Sequence, residues 1–168
     1  MECHLGSDIL ERAHPEVRCP HPSFYRPERM LDGLAALAHG LRVLVEALLP
    51  ELRTAGGCVI NIVDIHAERP MPGHAVYNIS KAGLAMLTRT LAAELGPAVR
   101  VNGVAPGAIL WPESGSDDAA RQDILDRTAL GRVGEASDIA SAVAYLSLDA
   151  PYVTGQILAV DGGRSLNM

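Results

Sequence analysis

The sequence predicts an α/β fold built on a parallel sheet. Three observations carry that expectation. Short β-branched runs at residues 58–63, 100–104 and 156–160 read as strands. Longer segments with helical spacing separate them. Strands alternating with helices form βαβ units, whose crossovers set neighbouring strands parallel.

Residues 1–29 hold Cys3, Cys19, His4, His14, His21 and four prolines, with no sustained period. They read as an irregular N-terminal tail. A zinc site from these cysteines and histidines lacks the C-x-x-C spacing such sites use. From residue 34, Leu34, Leu37, Leu41, Leu44 and Leu48 recur at 3,4,3,4, predicting a helix that Pro50 helps to stop. Gly56 and Gly57 punctuate, and residues 58–63 suit a strand buried on both faces. A turn with Pro70, Pro72 and Gly73 leads into a helix over residues 75–95. One face of it carries Ile79, Ala82, Gly83, Met86, Leu87, Thr90, Leu91 and Leu95, and Gly96-Pro97 ends it. The strand at 100–104 breaks at Pro106-Gly107. A helix follows around residues 118–130. Another is capped by Ser137 or Asp138 and turns Ile139, Val143 and Leu146 inward. The last strand, 156–160, runs into Asp161-Gly162-Gly163.

Composition narrows the function. The 168 residues are 48% hydrophobic and 20% charged, which suits one globular domain with a sizeable core. The net charge of −6 without a basic block argues against a nucleic-acid partner, and 4% aromatics leaves little for base stacking. No apolar run approaches the roughly 18 residues a membrane helix needs, and the first 20 residues lack a signal-peptide core. Cys3, Cys19 and Cys58 form no disulfide framework, so a cytoplasmic protein is the simplest expectation.

The chemistry concentrates at Asp64, Tyr77 and Lys81. A phenol and an ammonium four residues apart on a helix share a face. The positive charge is expected to lower the tyrosine pKa from about 10, readying it for proton transfer. Tyr-x-x-x-Lys alone is also what an ordinary helix with a half-buried Tyr and a solvated Lys looks like. Asp64 alone suits a strand-end carboxylate capping a turn. His66 and Arg69 are near the site in sequence and equally suit a solvated loop.

From about Leu34 onward the chain resembles the short-chain dehydrogenase/reductases. The resemblance rests on Asp64 after a strand, Tyr77-Asn78-Ile79-Ser80-Lys81-Ala82, Arg100-Val101-Asn102-Gly103-Val104-Ala105-Pro106-Gly107, Leu130-Gly131-Arg132, Asp138-Ile139-Ala140, Val153-Thr154-Gly155-Gln156 and Val160-Asp161-Gly162-Gly163. Aspartate at position 64, where most of the family has serine, is similar to the pteridine reductase branch. So is the run from Pro106 through Gly107, Ala108, Ile109 and Leu110 to Trp111 and Pro112. The resemblance implies a Rossmann-like three-layer αβα arrangement and an NADPH-dependent reductase of a pterin or dihydrofolate. It makes Tyr77 the proton donor and Lys81 the holder of the nicotinamide ribose. Asp64 would bind Tyr77 or the pterin, Pro106, Gly107, Ala108 and Ile109 would lie against the nicotinamide carboxamide, and Trp111 could wall the substrate pocket or simply be core. Phe24 is similar to an aromatic that stacks on the pterin in that branch. The family's helices at 34–50 and 75–95 commonly make the dimer contact, which implies a homo-oligomer.

Residues 1–33 contain no G-x-x-x-G-x-G, the turn by which backbone approaches pyrophosphate. The resemblance therefore implies a partial Rossmann-like domain over residues 30–168, the C-terminal half of the doubly wound fold. A non-catalytic fragment or interaction partner, or an incomplete gene product, stands as the alternative to a working reductase.

Overall fold

The computed structural model describes residues 27–109 and 118–168, with side chains from residue 39 onward. It divides into two compact units, Met1–Ala35 and Ala36–Met168. In the first, the described residues belong to the opening turns of helix α1, Pro27–Ala55. The expected tail therefore gives way to helix at its last three residues, and the candidate zinc residues and Phe24 lie outside the described part.

In the second unit, α1 leads to β1 (Cys58–Ile62), a 3-10 turn (Ile65–Ala67), α2 (Ala75–Leu95), β2 (Arg100–Pro106), α3 (Asp118–Asp126), α4 (Ala136–Ala144) and β3 (Ile157–Val160). The strands form a sheet in the order β1-β2-β3, and both pairings are parallel. Alternate strand residues face opposite sides. Val63 and Ala105 pack with Ala85 of α2, and Val101 packs with Val45, Leu91 and Ala92. On the other side Val104 packs with Leu146 and Ala150, joined by Ile60, Ile139 and Val143. Helices thus cover both faces of a parallel sheet, as the strand–helix alternation predicts.

Several local expectations give way to specific contacts. Pro50 does not stop α1, which continues to Ala55. The proline removes one N–H on an exposed stretch where water can serve the freed carbonyl. The stop comes at Gly56, whose left-handed backbone lets Gly57 N–H reach the Leu52 carbonyl at 2.8 Å. α3 ends at Asp126 rather than near residue 130. The cap of α4 is Glu135, not Ser137 or Asp138. Asp138 is its reciprocal partner, accepting the Glu135 N–H at 2.8 Å. β1 is not buried on both faces, because Ile62 is half exposed.

The two long helices bury only part of their apolar faces. Val45 is buried on α1 while Leu44 and Leu48 are 55% and 47% exposed. On α2 the buried residues are Ala85, Thr88, Leu91 and Ala92, whereas Ile79 and Met86 are 49% and 60% exposed. Small side chains at Ala85 and Ala92 let α2 sit close on the sheet beside the buried Leu91, and Ile79 and Met86 stay outward.

Candidate active site

The site is assembled where β1 ends. Asp64 follows the strand in extended backbone, and its two oxygens do different work. Oδ1 accepts the His66 N–H at 2.8 Å and caps the 3-10 turn. Oδ2 accepts the Tyr77 hydroxyl at 2.6 Å. Asp64 therefore both caps the turn and accepts from Tyr77.

Lys81, one turn along α2, does not reach the phenol oxygen. Its ammonium lies 5.8 Å from the centre of the Tyr77 ring. It donates to the carbonyls of Ile62 at 3.2 Å and Val63 at 3.1 Å. The register explains the second of these bonds. Ile62 faces Val104, so the Val63 carbonyl would take the N–H of residue 106. Residue 106 is proline and has none. Pro106 thus leaves a strand carbonyl open, and Lys81 takes it. An ammonium has three donors; these two bonds leave its third N–H.

The expected lowering of the Tyr77 pKa is not what this geometry produces. Partial burial raises it first, then the hydrogen bond to Asp64 and the charge of that carboxylate, up to about 12. The phenol is held as a donor, with 37% of the residue still exposed to a reactant.

Beside this trio, β2 ends in Pro106 and the turn Gly107, Ala108 and Ile109, all half-buried. A side chain at Gly107 would sit 2.7 Å from the Cα of Asp161, so only glycine lets the two turns meet. Asp161 holds its own turn by accepting N–H bonds from Gly163 at 2.9 Å and Ser165 at 2.8 Å. Burial pushes its carboxyl up, but those bonds outweigh it and hold the pKa below the usual range. The Ala108 carbonyl accepts the Gly134 N–H at 2.9 Å. Trp111 lies outside the described residues. His66 and Arg69 are spent on local bonds, His66 Nδ1 at 3.1 Å from the Arg69 carbonyl and Arg69 Nε donating to the Ser165 carbonyl. A cleft lined by Asp64, Arg69, Ala85, Ala105 and Ser165 includes neither Tyr77 nor Lys81.

Two structural devices escape a reading of the sequence alone. Arg100 donates to the carbonyls of Leu146, Ser147, Ala150 and Val153 at 2.7–3.3 Å, locking the π-helical turn Tyr145–Asp149 after α4. Asn61 Nδ2 donates to Thr88 Oγ1 at 2.9 Å across the buried face between β1 and α2. Arg100 stands beside no acid in sequence, and Thr88 looks like any polar residue on a helix.

The family model described as Enoyl-(Acyl carrier protein) reductase matches residues 25–165. The chain belongs to the short-chain dehydrogenase/reductase family. It is 40% identical over 170 residues to 3beta-hydroxysteroid dehydrogenase 1 of Eggerthella lenta, covering 96% of this chain and 64% of that protein. It is 40% identical over 138 residues to dihydromonapterin reductase of Klebsiella pneumoniae, covering 82% of this chain and 57% of the relative. A solved 7 alpha-hydroxysteroid dehydrogenase complexed with NADH and 7-oxo glycochenodeoxycholic acid superposes with a TM-score of 0.67 at 38% identity, over 71% of this chain and 49% of the other. The chain thus spans less than two thirds of the length of these relatives.

Lys81 and the turn after Pro106 could hold one end of a nicotinamide dinucleotide. Ligands of open parallel sheets bind beyond the carboxyl ends of the strands, where Asp64, Lys81 and the turn after Pro106 stand. Lys81 has the donor chemistry for ribose hydroxyls, and the 106–109 backbone suits a carboxamide. Among the described residues no glycine-rich turn opens a helix to hold pyrophosphate. No helix among them is long and apolar enough to cross a membrane, and no three His, Cys, Asp or Glu side chains gather as metal ligands.

Proposed function

We propose that the chain carries the reacting half of an NADPH-dependent reductase acting on the C=N bond of a pterin or dihydrofolate. The observation that carries this reading is the 2.6 Å bond from Tyr77 to Asp64 beside Lys81. A nicotinamide, when bound, supplies a hydride to the ring carbon. The adjacent nitrogen must then gain a proton, and Tyr77 is placed to donate it. A phenol with a pKa pushed up to about 12 is protonated near neutrality, the state from which it gives a proton. Asp64 stabilises the neutral phenol before transfer and can accept N–H bonds from a pterin. Likeness to dihydromonapterin reductase supports the pterin, and the pteridine reductase-like Asp64 supports NADPH. The hydroxysteroid dehydrogenase relatives support a second reading, reduction of a ketone by the same donor.

We also propose a homo-oligomer through α1 and α2, whose Leu44, Leu48, Ile79 and Met86 stay exposed. Titrating NADPH fluorescence with the chain, then following NADPH oxidation with a dihydropterin and with a keto-steroid, tests the reading. Binding and turnover of the dihydropterin are expected. No binding at millimolar NADPH would remove the reading for this chain, and turnover of the steroid alone would move it to the ketone.

A further inference from the structure

We propose that the buried Asn61–Thr88 pair is a positioning device that holds Tyr77 against Asp64. It rests on the reading of Tyr77 as the proton donor. Thr88 is fully buried, and its hydroxyl is used twice. It accepts from Asn61 Nδ2 at 2.9 Å and donates to the Leu84 carbonyl at 2.8 Å. Asn61 is itself buried on β1, three residues before Asp64.

Helix geometry ties this bond to the site. At 3.6 residues per turn, positions 77 and 81 each lie within about 20° of the line through position 88 along α2. Tyr77, Lys81 and Thr88 therefore share one stripe, and all three bond to residues 61–64. Among the described residues, Asn61–Thr88 is the side-chain hydrogen bond between α2 and β1 that lies outside the reacting trio.

The rest of the buried α2 face is apolar. Ala85, Leu91 and Ala92 are apolar, two of them small, and burial of apolar surface has no direction. A hydrogen bond does, weakening steeply once its angle or length departs from ideal. During turnover Tyr77 would exchange its partner for the reactant. Asn61–Thr88 would not, so it keeps the face of α2 toward Asp64 throughout.

The experiment is a pH titration of the Tyr77 ring by carbon NMR of the ring-labelled chain, assigned with Tyr77→Phe. Thr88→Val keeps the shape and removes the hydroxyl. The Tyr77 pKa is expected to fall from about 12 toward the ordinary phenol value of about 10, while Thr88→Ser leaves it in place. If Thr88→Val does not fold, Thr88→Ala against Thr88→Ser decides, since both lose the methyl group and one keeps the hydroxyl. A Tyr77 pKa unchanged in the variants lacking the hydroxyl, or lowered equally by Thr88→Ser, overturns the proposal. The readout is the Tyr77–Asp64 contact rather than turnover, so an inactive wild-type chain with these shifts would sink the reductase reading and leave the positioning role standing.

Discussion

Lys81 and Arg100 both place a cation on backbone carbonyls, and the contrast between them separates chemistry from architecture. Arg100 spreads four bonds over four carbonyls between residues 146 and 153. Its planar fork is matched to that task and anchors one end of β2 to the turn after α4. Lys81 makes two bonds at the carboxyl end of β1, keeps a third N–H, and lies next to a half-exposed phenol. Four bonds closed over one turn hold a fold together, whereas a third N–H beside a half-exposed phenol can meet a ligand.

The largest effect that can break this comparison is loss of the phenol. Tyr77→Phe should lower any reductase turnover by about 10²–10⁴-fold, the usual contribution of a general acid. Equal rates in wild type and variant would show that Tyr77 is not the donor.

Arg100→Met should do the reverse. It leaves four carbonyls without their charged donor and should cost about 2–4 kcal/mol in urea unfolding. The Tyr77 titration should stay as in wild type. An Arg100→Met chain as stable as wild type would mean that water serves those carbonyls equally well.

The alkaline limb sharpens the contrast. Tyr77 has a folded pKa raised to about 12, above the ordinary value of about 10. Its contribution to stability is therefore complete below about pH 10 and lost as pH rises through about 12. Unfolding midpoints measured over that window should fall in wild type more than in Tyr77→Phe. Parallel curves would contradict the raised pKa.

The smallest effect belongs to the turn that Gly107 rests on. Asp161 has a lowered carboxyl pKa, so its contribution is present above the ordinary carboxylate value and is lost as pH falls through its folded value. Asp161→Asn should flatten the acid limb of a stability–pH curve, and an unaltered limb would count against the bonds from Gly163 and Ser165.

Much of this architecture was legible. β-branched runs and helical spacing predicted three parallel strands and the helices between them, because burial on a sheet and on a helix leaves periods of two and 3.6. The joining of Asp64 to Tyr77 was legible from their place in a resembling pattern. The partner of Lys81 was not, since it depends on strand register and on the N–H that Pro106 lacks. The direction of the Tyr77 shift was missed for the same reason: spacing along α2 suggested the ammonium as neighbour, and the fold put the carboxylate closer. Which of Leu44, Leu48, Ile79 and Met86 meet the sheet was not legible, because apolar periodicity marks a face without saying what covers it. Thr88 was invisible because its burial depends on the small residues around it.

The most direct test is the ionisation of Tyr77 in the unmodified chain, compared with Asp64→Asn. A pKa near 12 that drops on substitution is the predicted result. A pKa near the free-phenol value of about 10, unmoved by Asp64→Asn, would show that the two groups do not meet, and the proton-donor site would fall with it.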